Sequence, residues 1–282
     1  MDFKKIGIIG SGIMGSSIAE LIIEAGYPTI LRSRQQQSAE KMLDLINKSF
    51  ERKIAKGSKS EIQAEQQLSR LQITDSLEGF FDCDLVIESV IEDLETKKAI
   101  FQELDAICKP SAILATNTST LPVVEFAAVT ERPDKVCGLH FFNPATLMPV
   151  VEIVRTLVIS QQTLEDVANF ARTCGKEPIE VKDQAGFVVN ALLFPYLNNA
   201  IKLLERGVAS KEDIDSAMKG GCGFPMGPFA LLDLIGLDTS LSILNALYKE
   251  FGEANYAPAP LLKRMVAARM YGRKSKRGFY SY

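Results

Sequence analysis

Residues 5–17 read KIGIIGSGIMGSS. KIGIIG is a short, continuously apolar run, the pattern of a parallel strand covered on both faces rather than of a half-solvated one. Gly10, Gly12 and Gly15 follow in the spacing G-x-G-x-x-G, with Ser11, Ile13 and Met14 between them. Between a strand and a helix, that spacing is a dinucleotide-binding turn. Gly10 permits the tight turn, Gly12 lets the backbone approach a pyrophosphate, and Gly15 lets the helix pack closely on the strand. Free N–H groups at the helix N-terminus then face the phosphates. Gly10, Gly12, Ile13, Met14 and Gly15 are therefore candidate cofactor-binding residues. A helix over about 13–26, stopping at Gly26, and a second strand at 28–31 complete a βαβ unit.

The pattern outward from this unit is α/β. The polar stretch at about 36–71 carries Met42, Leu45, Ile46, Phe50 and Ile54 on one face of a long helix. Lys56-Gly57-Ser58 breaks that helix, and a second one ends near Leu71, so a helical pair is inserted here. Strand patterns then recur at 83–89, 112–119, 135–142, 150–155 and 177–182, with helices at 93–107 and 163–174 between them. This alternation predicts a doubly wound sheet. Beyond Asp183 no strand pattern appears. Residues 188–207 read as one apolar helix with a kink or break at Pro195. Ser210 and Asp213 form a near capping box for the next helix, and further helices fall at about 228–252 and 258–271. The expected architecture is an N-terminal Rossmann-type doubly wound sheet over 1–184, followed by an all-α domain over 185–282. So apolar a first helix in the second domain suggests that it also buries a surface against another subunit.

The 282 residues suffice for two domains, and 46% hydrophobic with 24% charged residues is an ordinary globular composition. A net charge of −3 argues against a nucleic-acid partner or a polybasic membrane patch. No apolar run reaches the roughly 18 residues of a membrane span, and MDFKKIGIIG lacks the long apolar stretch expected of a signal peptide. The five cysteines are scattered without a C-x-x-C pair, which suggests reduced thiols in the cytoplasm. No metal is expected.

The cofactor's identity is decided where the second strand ends. An NAD-binding fold has an acid there for the ribose 2′-OH. This chain instead reads Leu31-Arg32-Ser33-Arg34. A hydroxyl between guanidinium groups suits a 2′-phosphate, which a carboxylate would repel. NADP(H) is the expected cofactor, with NAD(H) possible. The plainer alternative is that the arginines are a solvated surface. A second site is suggested by GLHFFNPA, residues 138–145, which holds the only histidine of the chain, His140. A lone histidine is most often structural. At a strand end after a dinucleotide fold, it is also the natural general acid or base near neutral pH.

Taken together, GSGIMGS, IESVIED, NTSTL, HFFNP, VVEIV, GFVVN, PMGP and GRKSKRGFY resemble the 3-hydroxyacyl-CoA dehydrogenases. The resemblance is closest to the bacterial 3-hydroxybutyryl-CoA dehydrogenases of similar length, and it runs from end to end. It implies interconversion of 3-hydroxybutanoyl-CoA and acetoacetyl-CoA by hydride transfer, with His140 as the acid or base. It implies further that Glu152 orients the imidazole, and that Ser119 and Asn190 hydrogen-bond the substrate oxygen in a cleft between the domains. Glu92, Lys97, Asn117 and Asn143 carry over as cofactor contacts. Ser49, Arg52 and Lys56, with Lys53 close by, carry over as contacts to coenzyme A; Arg52 stands where a lysine is expected. A homodimer is implied. Each position also has a bland reading: an edge-strand charge for Glu152, a turn residue for Ser119, a helix-start residue for Asn190, a solvated basic face for the insertion. Other readings of the whole are a dehydrogenase acting on a carrier-protein-bound thioester, or a non-catalytic crystallin-like relative.

Overall fold

The apolar run at the head of the chain forms β1 (Ile6–Ile9), with all four residues buried. The computed structural model describes residues 3–282, which divide into two compact units at Asp183 and Gln184. In the first unit β1 is followed by α1 (Ile13–Glu24), β2 (Thr29–Arg32), α2 (Gln36–Ala55), α3 (Glu61–Leu68), β3 (Leu71–Thr74) and β4 (Leu85–Glu88). Then come α4 (Leu94–Ile107), β5 (Ile113–Thr116), α5 (Val124–Ala127), β6 (Val136–Phe141), β7 (Val150–Arg155), α6 (Gln161–Thr173) and β8 (Glu177–Lys182). The strands form one eight-stranded sheet in the order β3-β2-β1-β4-β5-β6-β7-β8. From β3 to β6 neighbours are parallel; β7 runs antiparallel to β6, and β8 parallel to β7.

The glycine turn has the shape its residues require. Gly10 sits at φ +114°, where L side chains are rare, and a Cβ there would collide with the Ser89 carbonyl. A Cβ on Gly15 would collide with the Gly10 carbonyl. α1 therefore leaves β1 at close quarters and packs on the sheet through Ile18, Ile22 and Ile23, all fully buried. Each such side chain contributes roughly 1.5–3 kcal/mol by leaving water.

The inserted helical pair departs from the reading above in two places. Met42, Ile46 and Phe50 are buried along the inner face of α2, but Leu45 falls off that stripe and is exposed. The second helix stops at Leu68, and residues 71–74 form the edge strand β3. Ionic contacts hold the pair to α1. Ser49 Oγ donates to Glu20 Oε1 at 2.6 Å. Lys53 Nζ lies 2.8 Å from Glu20 and 2.6 Å from Glu24, and Lys59 Nζ lies 2.8 Å from Glu24. Ser60 and Gln63 cap α3 reciprocally.

The second unit is helical: α7 (Val189–Glu205), α8 (Lys211–Cys222), α9 (Pro228–Ile235), α10 (Leu237–Phe251) and α11 (Pro260–Ala267). α7 runs through Pro195 without a break. The helix expected over 228–252 is two helices meeting at 95°. Gly236, at φ +105°, makes that corner. Ser210 caps α8 by accepting from the Asp213 N–H at 3.1 Å. The buried carboxylate of Asp233 accepts from the N–H groups of Phe279 and Tyr280 and fixes the tail. Among the described residues, no single helix is long and apolar enough to cross a membrane.

Candidate active site

β1, β4, β5 and β6 are parallel, so their C-terminal ends lie along one edge of the sheet, where open α/β sheets bind ligands. β1 delivers the glycine turn there. At Gly12 a Cβ would meet nothing within 4 Å, unlike at its two glycine neighbours in the turn. No side chain caps the N-terminus of α1. Open space beside uncapped N–H groups fits the pyrophosphate of a dinucleotide. At the end of β2, Ser33 is buried; its hydroxyl donates to the Gln35 carbonyl at 3.0 Å and lies 2.8 Å from Ser11 Oγ in the turn. Arg32 and Arg34 differ. Arg32 Nε donates to the Asp75 carbonyl at 3.0 Å, whereas Arg34 is exposed and its guanidinium makes no hydrogen bond or ion pair among the described residues.

The reversal between β6 and β7 brings the histidine and a carboxylate together. His140 stands directly opposite Glu152 in the antiparallel register, so both side chains leave the same face. His140 Nδ1 lies 2.7 Å from Glu152 Oε2, in a pair that is 4% and 1% exposed. An ionised carboxylate only accepts, so Nδ1 carries the hydrogen and donates it. Nε2, the other ring nitrogen, lies 3.1 Å from Ser119 Oγ. The Phe142 ring stands edge-on to the imidazole, with centroids 4.8 Å apart.

Ser119 lies in the turn after β5, which side chains from two other segments and one of its own hold. Glu92 Oε1 accepts from Thr118 Oγ1 at 2.6 Å, from the Ser119 N–H at 2.9 Å and from the Thr120 N–H at 3.1 Å. Asp183 accepts from the N–H groups of Val123 and Val124 at the far end of the turn. Asn117 Oδ1 accepts from the Phe141 N–H at 2.9 Å, which ties the start of the turn to the strand that carries His140.

Several expected contacts are engaged elsewhere. Lys97 is not on an open wall: it is 1% exposed, with its ammonium 2.7 Å from Glu88 and 3.6 Å from Glu92. Desolvating a lysine demands such pairing. Glu88 was missed by the sequence reading; its signal is an acid ending the apolar strand LVIE. The carboxamide of Asn117 is committed to Phe141 and Ser89. Ser49 and Lys53 face α1, while Arg52 and Lys56 are exposed, so the inserted pair presents two of its four polar candidates outward. Asn143 is exposed just beyond β6. Asn190 belongs to the second unit, where it is buried in the first turn of α7.

Comparison with known proteins agrees with this arrangement. Residues 5–184 match the 3-hydroxyacyl-CoA dehydrogenase NAD binding domain, and residues 186–282 match the 3-hydroxyacyl-CoA dehydrogenase C-terminal domain. A 3-hydroxybutyryl-CoA dehydrogenase of Clostridioides difficile is 45% identical over 278 residues, 99% of each chain. The crystal structure of M. tuberculosis FadB2 superposes with a TM-score of 0.98 at 42% identity, covering 100% of both chains. That of (S)-3-hydroxybutyryl-CoA dehydrogenase PaaH1 from Ralstonia eutropha gives 0.95 at 39% identity, covering 100% of this chain and 99% of the other. With a glycine turn that fits a dinucleotide and both domain models matched in order, the chain is an oxidoreductase belonging to the 3-hydroxyacyl-CoA dehydrogenase family.

Proposed function

We propose that this enzyme interconverts 3-hydroxybutanoyl-CoA and acetoacetyl-CoA, with His140 as the general acid and base and NADP(H) as the preferred cofactor. The observation that carries the reading is the His140 imidazole, held by Glu152 on one nitrogen and facing Ser119 with the other. The nicotinamide, when bound, supplies or accepts the hydride. In reduction the C3 carbonyl carbon gains that hydride, and its oxygen takes a proton from His140 Nε2. The imidazole is left neutral and is recharged from solvent. In oxidation Nε2 takes the hydroxyl proton as the C3–H bond gives up its electron pair. The Glu152 carboxylate keeps Nδ1 protonated and stabilises the imidazolium, the logic of a histidine–carboxylate pair. Ser119 Oγ and Asn190 donate hydrogen bonds to the substrate oxygen. Arg52 and Lys56, cationic and exposed on α2, are assigned to the phosphates of coenzyme A.

The NADP(H) preference is supported by the hydroxyl of Ser33 in place of an acid and by the unengaged guanidinium of Arg34. Homodimer formation is supported by α7, whose Leu192 and Leu203 are exposed, as is Val188 just before it. Five free cysteines agree with a reducing, cytoplasmic setting.

Purified enzyme should oxidise NADPH in the presence of acetoacetyl-CoA. A panel of C4 to C16 thioesters, including a carrier-bound one, with both cofactors would fix substrate and cofactor together. A higher kcat/KM with NADH would overturn the cofactor assignment. Replacing His140 by Gln should lower kcat by about 10²–10⁴-fold, the usual contribution of a positioned acid or base; near-normal turnover would remove it from the mechanism.

A further inference from the structure

We infer that Glu88, which the scheme above does not use, is a positioning residue for Ser119, acting through Lys97 and Glu92; the inference rests on the assignment of Ser119 to the substrate oxygen. Glu88 ends β4 and is fully buried. Its two oxygens lie 2.7 and 2.8 Å from Lys97 Nζ, and they also accept from the Val90 N–H at 2.6 Å and from Thr116 Oγ1 at 2.7 Å. Lys97, on α4, is thereby anchored with its ammonium 3.6 Å from Glu92 Oε2. That separation is long for a hydrogen bond but short for Coulomb attraction in a partly desolvated site. Glu92 is drawn toward Lys97 without being captured. Its other oxygen, Oε1, stays with the Thr118, Ser119 and Thr120 donors, and the turn keeps Ser119 Oγ 3.1 Å from His140 Nε2.

The consequence follows from what Lys97 would do without Glu88. A buried ammonium does not remain unpaired. Glu92 is the nearest other carboxylate given to it, so the ammonium would close on Glu92, and the carboxylate would turn away from the 118–120 N–H groups. Ser119 would then lose its aim at the imidazole although no atom of the reacting centre had been changed. If Glu88 only neutralises Lys97 within the core, its loss would lower stability and leave the aim of Ser119 alone.

A double-mutant cycle separates these roles. The kcat for acetoacetyl-CoA reduction by NADPH is measured per folded enzyme in wild type, Glu88→Gln, Ser119→Ala and the double variant. Glu88→Gln should lower kcat about tenfold or more, with the KM for acetoacetyl-CoA changed less than about threefold. In the Ser119→Ala background the same substitution should cost no more than about twofold, because the two residues act in series. A kcat within about twofold of wild type for Glu88→Gln, or an equal loss in both backgrounds, would overturn the inference. If Glu88→Gln does not fold, the pair Glu88→Gln/Lys97→Met removes both buried charges and with them the ammonium that would capture Glu92; amide exchange over 118–121 should then stay within about threefold of wild type, and an acceleration of about tenfold would overturn the inference. Amide exchange over 118–121 needs no substrate. Glu88→Gln should speed it about tenfold or more, and unchanged exchange sinks the linkage whatever the substrate proves to be. Wild-type enzyme inert toward acetoacetyl-CoA, with exchange accelerated in the variant, would instead fault the substrate assignment alone.

Discussion

His140 shows how little of a residue's role lies in its type. Its two ring nitrogens stand in different surroundings, since Glu152 accepts from one and Ser119 faces the other. Replacing Glu152 by Gln tests that division. An amide can donate to Nδ1 as well as accept from it, so the imidazole is no longer held in one tautomer. We expect kcat to fall about 10²–10⁴-fold, as when the carboxylate of other such pairs is replaced by an amide, with KM little changed; steady-state kinetics at saturating cofactor would show it. At this scale two motifs, HFFNP and VVEIV, supplied His140 and Glu152, and the structure sets the two side chains against each other. The sequence was silent where the partner came from another segment. Lys97 carried a cofactor assignment, yet its ammonium is bound by Glu88, an acid on the preceding strand that no local pattern links to it. Ser49 likewise pointed to coenzyme A, yet its hydroxyl meets Glu20 across to α1.

Among the elements, the glycine turn was fully legible because steric need is local, and the three glycines now separate by function. At Gly15 a methyl group would meet the Gly10 carbonyl, whereas at Gly12, with φ −73°, it would meet nothing. Gly15→Ala should destabilise the fold by about 1–3 kcal/mol, the range for overpacking a tight contact. Gly12→Ala should leave stability within about 0.5 kcal/mol of wild type. It should nevertheless weaken cofactor binding by about tenfold or more, or roughly 1.4 kcal/mol. Thermal melts and cofactor titrations on the same two proteins check both halves. Two elements were not legible. Leu71–Thr74 is a four-residue edge strand directly after a helix, too short for alternation to outweigh the preceding periodicity. The corner at Gly236 lies inside continuous apolar periodicity, and only its left-handed backbone separates α9 from α10.

At the scale of the whole molecule, seven of the eight strands and the helical second half were readable because hydrophobic period and length report on them directly. The order of strands and the reversal of β7 were not, since neither leaves a local trace. Burial sorts the thiols in the same global way. Cys83, Cys137 and Cys174 are pushed up to about 12, and Cys108 to about 11, by desolvation of the thiolate, while Cys222 is exposed. An aromatic disulfide reagent at pH 8 should therefore titrate one thiol in the native protein and the other four only after denaturation; fast labelling of two or more would contradict the packing. The reversal between β6 and β7 has a genetic consequence. His140 and Glu152 are twelve positions apart along the chain but face one another across the ladder. An in-frame loss of a single codon from the connecting loop, with the strands still paired, would set Ile153 or Val151 against the imidazole and turn the glutamate to the opposite face. The number of residues in that loop thus matters through register alone, even at positions whose side chains do nothing.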